Sequence, residues 1–227
     1  MAFRRNAAAV LPERGDLTSS MIGIGMLFGG EPLASPNIED TLLAASIEGM
    51  DRGDLRVLSV LTTWFGVHAE YVNADRLTRI AADRSPRVRA YWSSMSRTRP
   101  SDRRFRRLAA GYEGSRLDLL TVGTQTQILR RGEDARFLGS PIAVPAGTLR
   151  DRVADVMTPA ELAARHRAYY WRVVIGPSYR ADVWAAMEAD SMAKPADLAR
   201  RTFASFATAW EVRRDYLIVA GIRTATP

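Results

Sequence analysis

Residues that start helices recur all along this chain, and that punctuation confines it to short helices joined by turns. Asn37 stands before IEDTLLAASIEGM with Asp40 at the third helical position, Asn73 before ADRLTRIAA, and Ser101 before DRRFRRLAA. Ser85-Pro86 opens RVRAYWSSM with proline at its favoured first position, Thr158-Pro159-Ala160-Glu161 forms a capping box, and Ser205 precedes FATAWEVRRDY. A short polar side chain at such places accepts a hydrogen bond from an amide of the first turn. Apolar residues follow at helical spacing, as in Ile38, Leu42 and Ala45 and again in Leu55, Leu58, Leu61 and Phe65, so each helix carries a face for a core. Gly49, Gly66, Gly111 and Gly176-Pro177 supply the stops.

The pattern predicts helices over 54–65, 159–174, 179–190, 195–203 and 206–216, and another from Thr148 in LRDRVADVM. Between 117 and 144 the character changes. LDLLTV, TQILRR and ARFLGSPIAV, separated by Gly123, Gly132 and Gly139, read as short strands, and Gly132-Glu133-Asp134 is placed to turn a hairpin. The expected fold is mainly α with a small β element near 117–144. Four parts are expected: an irregular segment (1–34), a helical domain with an arginine-rich end (35–116), a mixed linker region ending in a long helix (117–177) and a C-terminal domain (178–227).

Several chemistries are excluded by what the chain lacks. It has no cysteine, which removes disulfide scaffolds, cysteine-ligated zinc, iron–sulfur clusters and thiol catalysis. The only histidines, His68 in a loop and His166 in mid-helix, are far apart and read as structural. Lys194, the single lysine, lacks the glycines of a phosphate-binding loop, and no serine sits in a G-x-S-x-G setting. Gly114-Ser115 with Asp118 lacks the paired aspartates of a nucleotidyltransferase metal site. Gly23, Gly25 and Gly29 fail the dinucleotide fingerprint, since Phe28 stands where its third glycine belongs. No enzyme activity, metal or cofactor is expected. Ala7–Leu11 is cut short by Pro12, Glu13 and Arg14, and MIGIGMLFGG is about half the length of a bilayer-spanning helix. A cytoplasmic protein without a membrane partner is the expectation.

The charge is concentrated. Over 84–116 ten arginines face only Asp102 and Glu113, a net +8 that matches the whole chain's +7, while 35–83 is net negative. Guanidinium groups take phosphate oxygens in pairs and displace condensed counterions. Arg84, Arg87, Arg89, Arg103, Arg104, Arg106 and Arg107, with Tyr91, Trp92 and Phe105 interleaved, are therefore candidate phosphate contacts. Pairing with the acidic 35–83 segment, or with an acidic protein partner, is the competing reading.

Near the C-terminus, YRADVWAAMEAD, PADLARRTF and FATAWEVRRDY are three consecutive helical segments. Asp197-Leu198-Ala199, the cap Ser205 and Thr208-Ala209 resemble the helix-turn-helix of bacterial transcriptional regulators, winged-helix proteins included, over about 40 residues. The turn departs from the common pattern, with Phe203 in place of glycine and Thr202 in place of an apolar residue. In overall plan the chain resembles helix-turn-helix antitoxins and regulators of mobile elements. The resemblance implies a double-stranded DNA partner, a homodimer, and contacts from Arg200, Arg201, Ser205, Thr208, Arg213 and Arg214. Ala209, Val212 and Tyr216 are expected inside, and Phe206, Ala207, Trp210, Glu211 and Arg214 outside. A second unit of the same order is a candidate near 54–98, where Asn73-Ala74-Asp75 and Leu77 echo Ala196-Asp197-Leu198. The alternative function is a protein-interaction subunit that holds an acidic partner through the arginine stretch.

Overall fold

A computed structural model describes residues 9–12 and 15–221. The fold is mainly α, with twelve α-helices and one two-stranded sheet among the described residues. The chain divides into two units, one over 9–159 and the other from residue 160 onward.

In the first unit the helices are α1 (Leu17–Gly23), α2 (Ile38–Met50), α3 (Leu55–His68), α4 (Ala74–Ala81), α5 (Pro86–Arg97), α6 (Arg106–Ala109) and α7 (Thr124–Arg131). Side chains start four of them: Asn37 accepts the amide of Asp40 at 3.0 Å, Asp54 those of Arg56 and Val57, Asn73 that of Arg76 and Ser85 that of Val88. Helices α2, α3 and α5 are buried around most of their circumference, as central helices of a layered bundle are. Their aromatic rings meet edge to face, Phe65 with Trp92 at 5.5 Å and with Phe105 at 5.4 Å, and Tyr91 with Trp92 at 5.2 Å.

Several polar groups buried here find a partner within the fold. Trp64 Nε1 donates to Ile24 O and Trp92 Nε1 to Ser46 Oγ. Ser94 and Ser96 turn back onto the carbonyls of Ala90 and Trp92, four residues earlier. Helix α5 is thus a core helix and presents no continuous exposed face to a DNA groove.

Other expectations are corrected. Gly49 lies inside α2: a Cβ there would come within 2.8 Å of Leu58 Cβ, so the glycine permits close approach of α2 and α3. Gly66 likewise lies within α3. The 17–23 stretch, expected to be irregular, is helical, and Gly23 sits against Leu33 O and Pro36. A cap by Ser101 is replaced by one from Asp102, which accepts the amide of Arg104 and starts a 3-10 turn, Arg103–Phe105, ahead of α6. TQTQILRR is the helix α7 and no hairpin forms. Gly123 at φ 84° and the Thr124 hydroxyl, bonded to both Leu120 N and O, set a helical start. The strands β1 (Leu117–Asp118) and β2 (Ile142–Ala143) pair in parallel, Leu117 opposite Ile142. LRDRVADVM holds only the 3-10 turn Val153–Asp155, because Val156 bridges Met26 and the flanking bonds Leu27 N to Asp155 O and Met157 N to Gly25 O keep the chain extended.

The second unit holds α8 (Pro159–Arg165), α9 (Arg167–Ile175), α10 (Tyr179–Ala189), α11 (Pro195–Thr202) and α12 (Phe206–Val219). The single helix expected over 159–174 breaks at His166, whose Nδ1 accepts the amide of Tyr169 at 3.1 Å and caps α9. The turn at Gly176-Pro177-Ser178 falls inside this unit. Arg172 on α9 and Asp182 on α10, both buried, are joined by two bonds, Nε to Oδ1 at 2.8 Å and Nη2 to Oδ2 at 3.1 Å. Trp171 stacks on Trp184 with centroids 5.2 Å apart. Gly176-Pro177-Ser178 is therefore a turn within one packed body.

Candidate nucleic-acid interface

The core of α10, α11 and α12 is Val183, Met187, Ala193, Leu198, Ala204, Ala209, Val212 and Leu217, with Trp184, Ala199 and Tyr216 packed against it. Burial of Leu198 on α11 and of Ala209 and Val212 on α12 fixes how these two helices lie together. Between them the chain turns through Phe203, at φ 59° in the left-handed region. This is where the common turn pattern has glycine, which adopts that conformation without a Cβ penalty. Ser205 then caps α12, its Oγ accepting the Thr208 amide at 3.1 Å and lying 2.8 Å from Thr208 Oγ1.

The face of α12 turned to solvent carries Phe206, Ala207, Trp210, Glu211 and Arg214. Phe206 is 59% exposed and Trp210 50%, and the Arg214 guanidinium lies 5.5 Å from the Trp210 ring centroid. Leu217, on the inner side, completes the core beyond the residues expected there. Further cations lie on α11 and α12. Arg200 and Arg201 on α11 are exposed, the former paired with Asp197 at 2.6 Å and the latter 3.8 Å from Asp190. Arg213 is held against the unit, its Nε donating to Ala193 O at 2.9 Å. Glu211 lies 3.6 Å from Arg180, and Asp215 accepts bonds from Arg180 and Arg214, which hold its carboxyl below the usual carboxylate range.

The arginine stretch in the first unit separates into two sets. Arg87 fastens three carbonyls, with Nε on Met50 O at 2.8 Å, Nη1 on Asp118 O at 3.1 Å and Nη2 on Leu119 O at 2.6 Å. Arg89 donates twice to Gly111 O, and Arg84 to Ile80 O. Arg104 binds the Asp102 carboxylate, lowering its pKa, and reaches Glu70 O at 2.9 Å. Arg103, Arg106 and Arg107 are exposed, and none of their guanidinium groups makes a hydrogen bond or ion pair with a described residue.

The two histidines lie within packed structure. His68 is fully buried, its Nε2 3.0 Å from Met157 O, and desolvation lowers its pKa to about 4. His166 is the cap described above. A pocket of about 410 Å³ is lined by Thr62, Thr63, Val67, Arg99, Arg136 and Asp151, among others. Its polar groups already serve the fold: Thr62 bonds Tyr91, Thr63 bonds Asp151, Arg99 bonds Gly66 O and Arg136 bonds Asp134. Among the described residues no group of three or more histidine, aspartate or glutamate side chains could hold a metal ion, and no helix is long and apolar enough to cross a membrane. No family model, no curated protein and no solved structure matches the chain.

Proposed function

We propose that the second unit binds double-stranded DNA through α11 and α12, and that the protein is a dimeric, cytoplasmic transcriptional regulator of the antitoxin or mobile-element kind. The observation that carries this reading is the start of α12, which is fixed in direction yet open to solvent. The left-handed turn at Phe203, the Ser205 cap and the buried Leu198, Ala209 and Val212 hold it. A helix of this diameter fits the major groove. Phe206, Ala207 and Trp210 would meet base edges and thymine methyls, with Arg200, Arg201 and Arg214 near phosphates and Arg213, Ser205 and Thr208 supporting the approach. Pairing of Glu211 with Arg180 moderates the one repulsive charge on the face.

The test is binding of the purified chain to a labelled duplex from upstream of its own coding region, titrated with salt and competed with unrelated DNA. The expected result is tight binding that survives competition. Replacing Arg200 and Arg201 by Gln should weaken all sequences alike and reduce the salt slope by about 1.8, at 0.9 per phosphate contact. Trp210→Ala should erode discrimination instead. Binding without discrimination by the unchanged chain refutes the proposal.

A second reading, a protein-interaction subunit, is favoured by one feature. Phe206, Trp210 and the 72%-exposed Ile218 recur at spacings of four and eight along α12 and give it an apolar side. Under that reading Trp210→Ala abolishes complex formation and leaves any DNA salt slope unchanged.

A further inference from the structure

We propose that the turn at 103–107 in the first unit is a separate, sequence-independent nucleic-acid contact, in which Arg103, Arg106 and Arg107 grip backbone phosphates. It does not rest on the reading of α12.

The turn is rigidly held. Phe105 and Leu108 are buried, Phe105 edge-on to Phe65, while Ser93 Oγ donates to Ala109 O and Arg89 fastens Gly111 O. Arg104 ties the turn to Glu70 O and occupies the carboxylate of Asp102, the one acid within the run. Three guanidiniums remain directed to solvent from consecutive turns of backbone that cannot collapse around them. Guanidinium on a fixed frame loses little freedom when it takes a phosphate in fork geometry.

The chemistry of the patch selects its partner. Both large apolar residues of the segment point inward, so the surface offers cations without an aromatic or aliphatic anchor. Protein interfaces centre on such anchors, and arginine serves there beside a buried aromatic or aliphatic core that this patch lacks. Backbone phosphates need only spaced cations, and they reward them through counterion release.

The experiment measures affinity of the full chain for a short duplex of arbitrary sequence as a function of salt, for the unchanged protein and for R103Q/R106Q/R107Q. Because the probe is arbitrary, the result is independent of sequence discrimination by α12. The expected loss is about 2.7 in the slope of log affinity against log salt, 0.9 for each contact, with the melting temperature unchanged. Should the triple variant fail to fold, Arg106→Gln alone should lower the slope by about 0.9. An unchanged slope overturns the proposal, as does absence of salt-dependent binding by the unchanged chain. Loss of retention on immobilised polyglutamate with an unchanged DNA slope would also overturn it and assign the patch to an acidic protein.

Discussion

Arg87→Met tests directly whether the arginines of 84–107 divide into fastenings and free cations. The substitution keeps much of the aliphatic stem and removes the donors to Met50 O, Asp118 O and Leu119 O. A hydrogen bond to a charged group contributes about 1.5–3 kcal/mol. The side chain is only half-buried, so water replaces part of what is lost, and the net cost should be about 2–4 kcal/mol. Arg107→Met, which removes no bond to a described residue, should change stability by less than about 0.5 kcal/mol. Native-state hydrogen exchange resolves the site, since the amides of Leu117 and Leu119 bond Pro141 O and Ala143 O beside the clamped carbonyls. Their exchange should accelerate about 30- to 700-fold in Arg87→Met, at tenfold for each 1.4 kcal/mol. Equal effects of the two substitutions, whether both small or both large, would refute the division.

Three further outcomes are expected. Arg172→Met or Asp182→Leu alone should destabilise the second unit by about 3–5 kcal/mol by breaking a buried ion pair, whereas the double replacement should cost less than the sum of the two; urea unfolding of all three variants checks this. For His68, a folded pKa of about 4 against the ordinary 6.5 means the unfolded chain takes up the proton first, so its contribution is complete above pH 6.5 and is lost as pH falls towards 4. The unchanged protein should therefore lose about 3 kcal/mol relative to His68→Gln over that window; the difference also cancels the opposite slope from Asp40, whose carboxyl burial raises to about 6 against the pull of Arg76. Gly49→Ala should lower the urea midpoint, because overpacking against Leu58 at about 1–3 kcal/mol outweighs the roughly 1 kcal/mol gain in helix propensity.

Much of the helical framework is legible where a local bond makes it. Asn37, Asn73, Ser85 and Ser205 all accept the amide expected of a cap, and α10, α11 and α12 begin where the pattern places them. The misses have separate causes. Gly49 reads as a stop because its partner Leu58 belongs to another helix. RVRAYWSSMS reads as an exposed basic helix because the serines hide their hydroxyls on their own backbone. His166 reads as mid-helix because a histidine cap carries no strong sequence signal, although its Nδ1 can accept an amide as asparagine does. Of the candidate site, the solvent face of α12 follows from periodicity. The use of Arg87, Arg89 and Arg104 by carbonyls far along the chain, and of Arg84 by Ile80 O, does not, since a count of charges carries no information about acceptors.

The stretch from 110 to 158 has little regular structure to hold it, and Pro141 and Pro145 bring carbonyls without matching amides. Guanidiniums make up the shortage of donors: Arg89 serves Gly111, Arg87 serves Asp118 and Leu119, Arg116 serves Ser140, and Arg136 serves Leu149. These are side-chain rivets on an otherwise loosely woven sheet of chain, and they remain charged at every physiological pH. Order in this region is accordingly vulnerable to any agent that competes for guanidinium, concentrated phosphate or sulfate included.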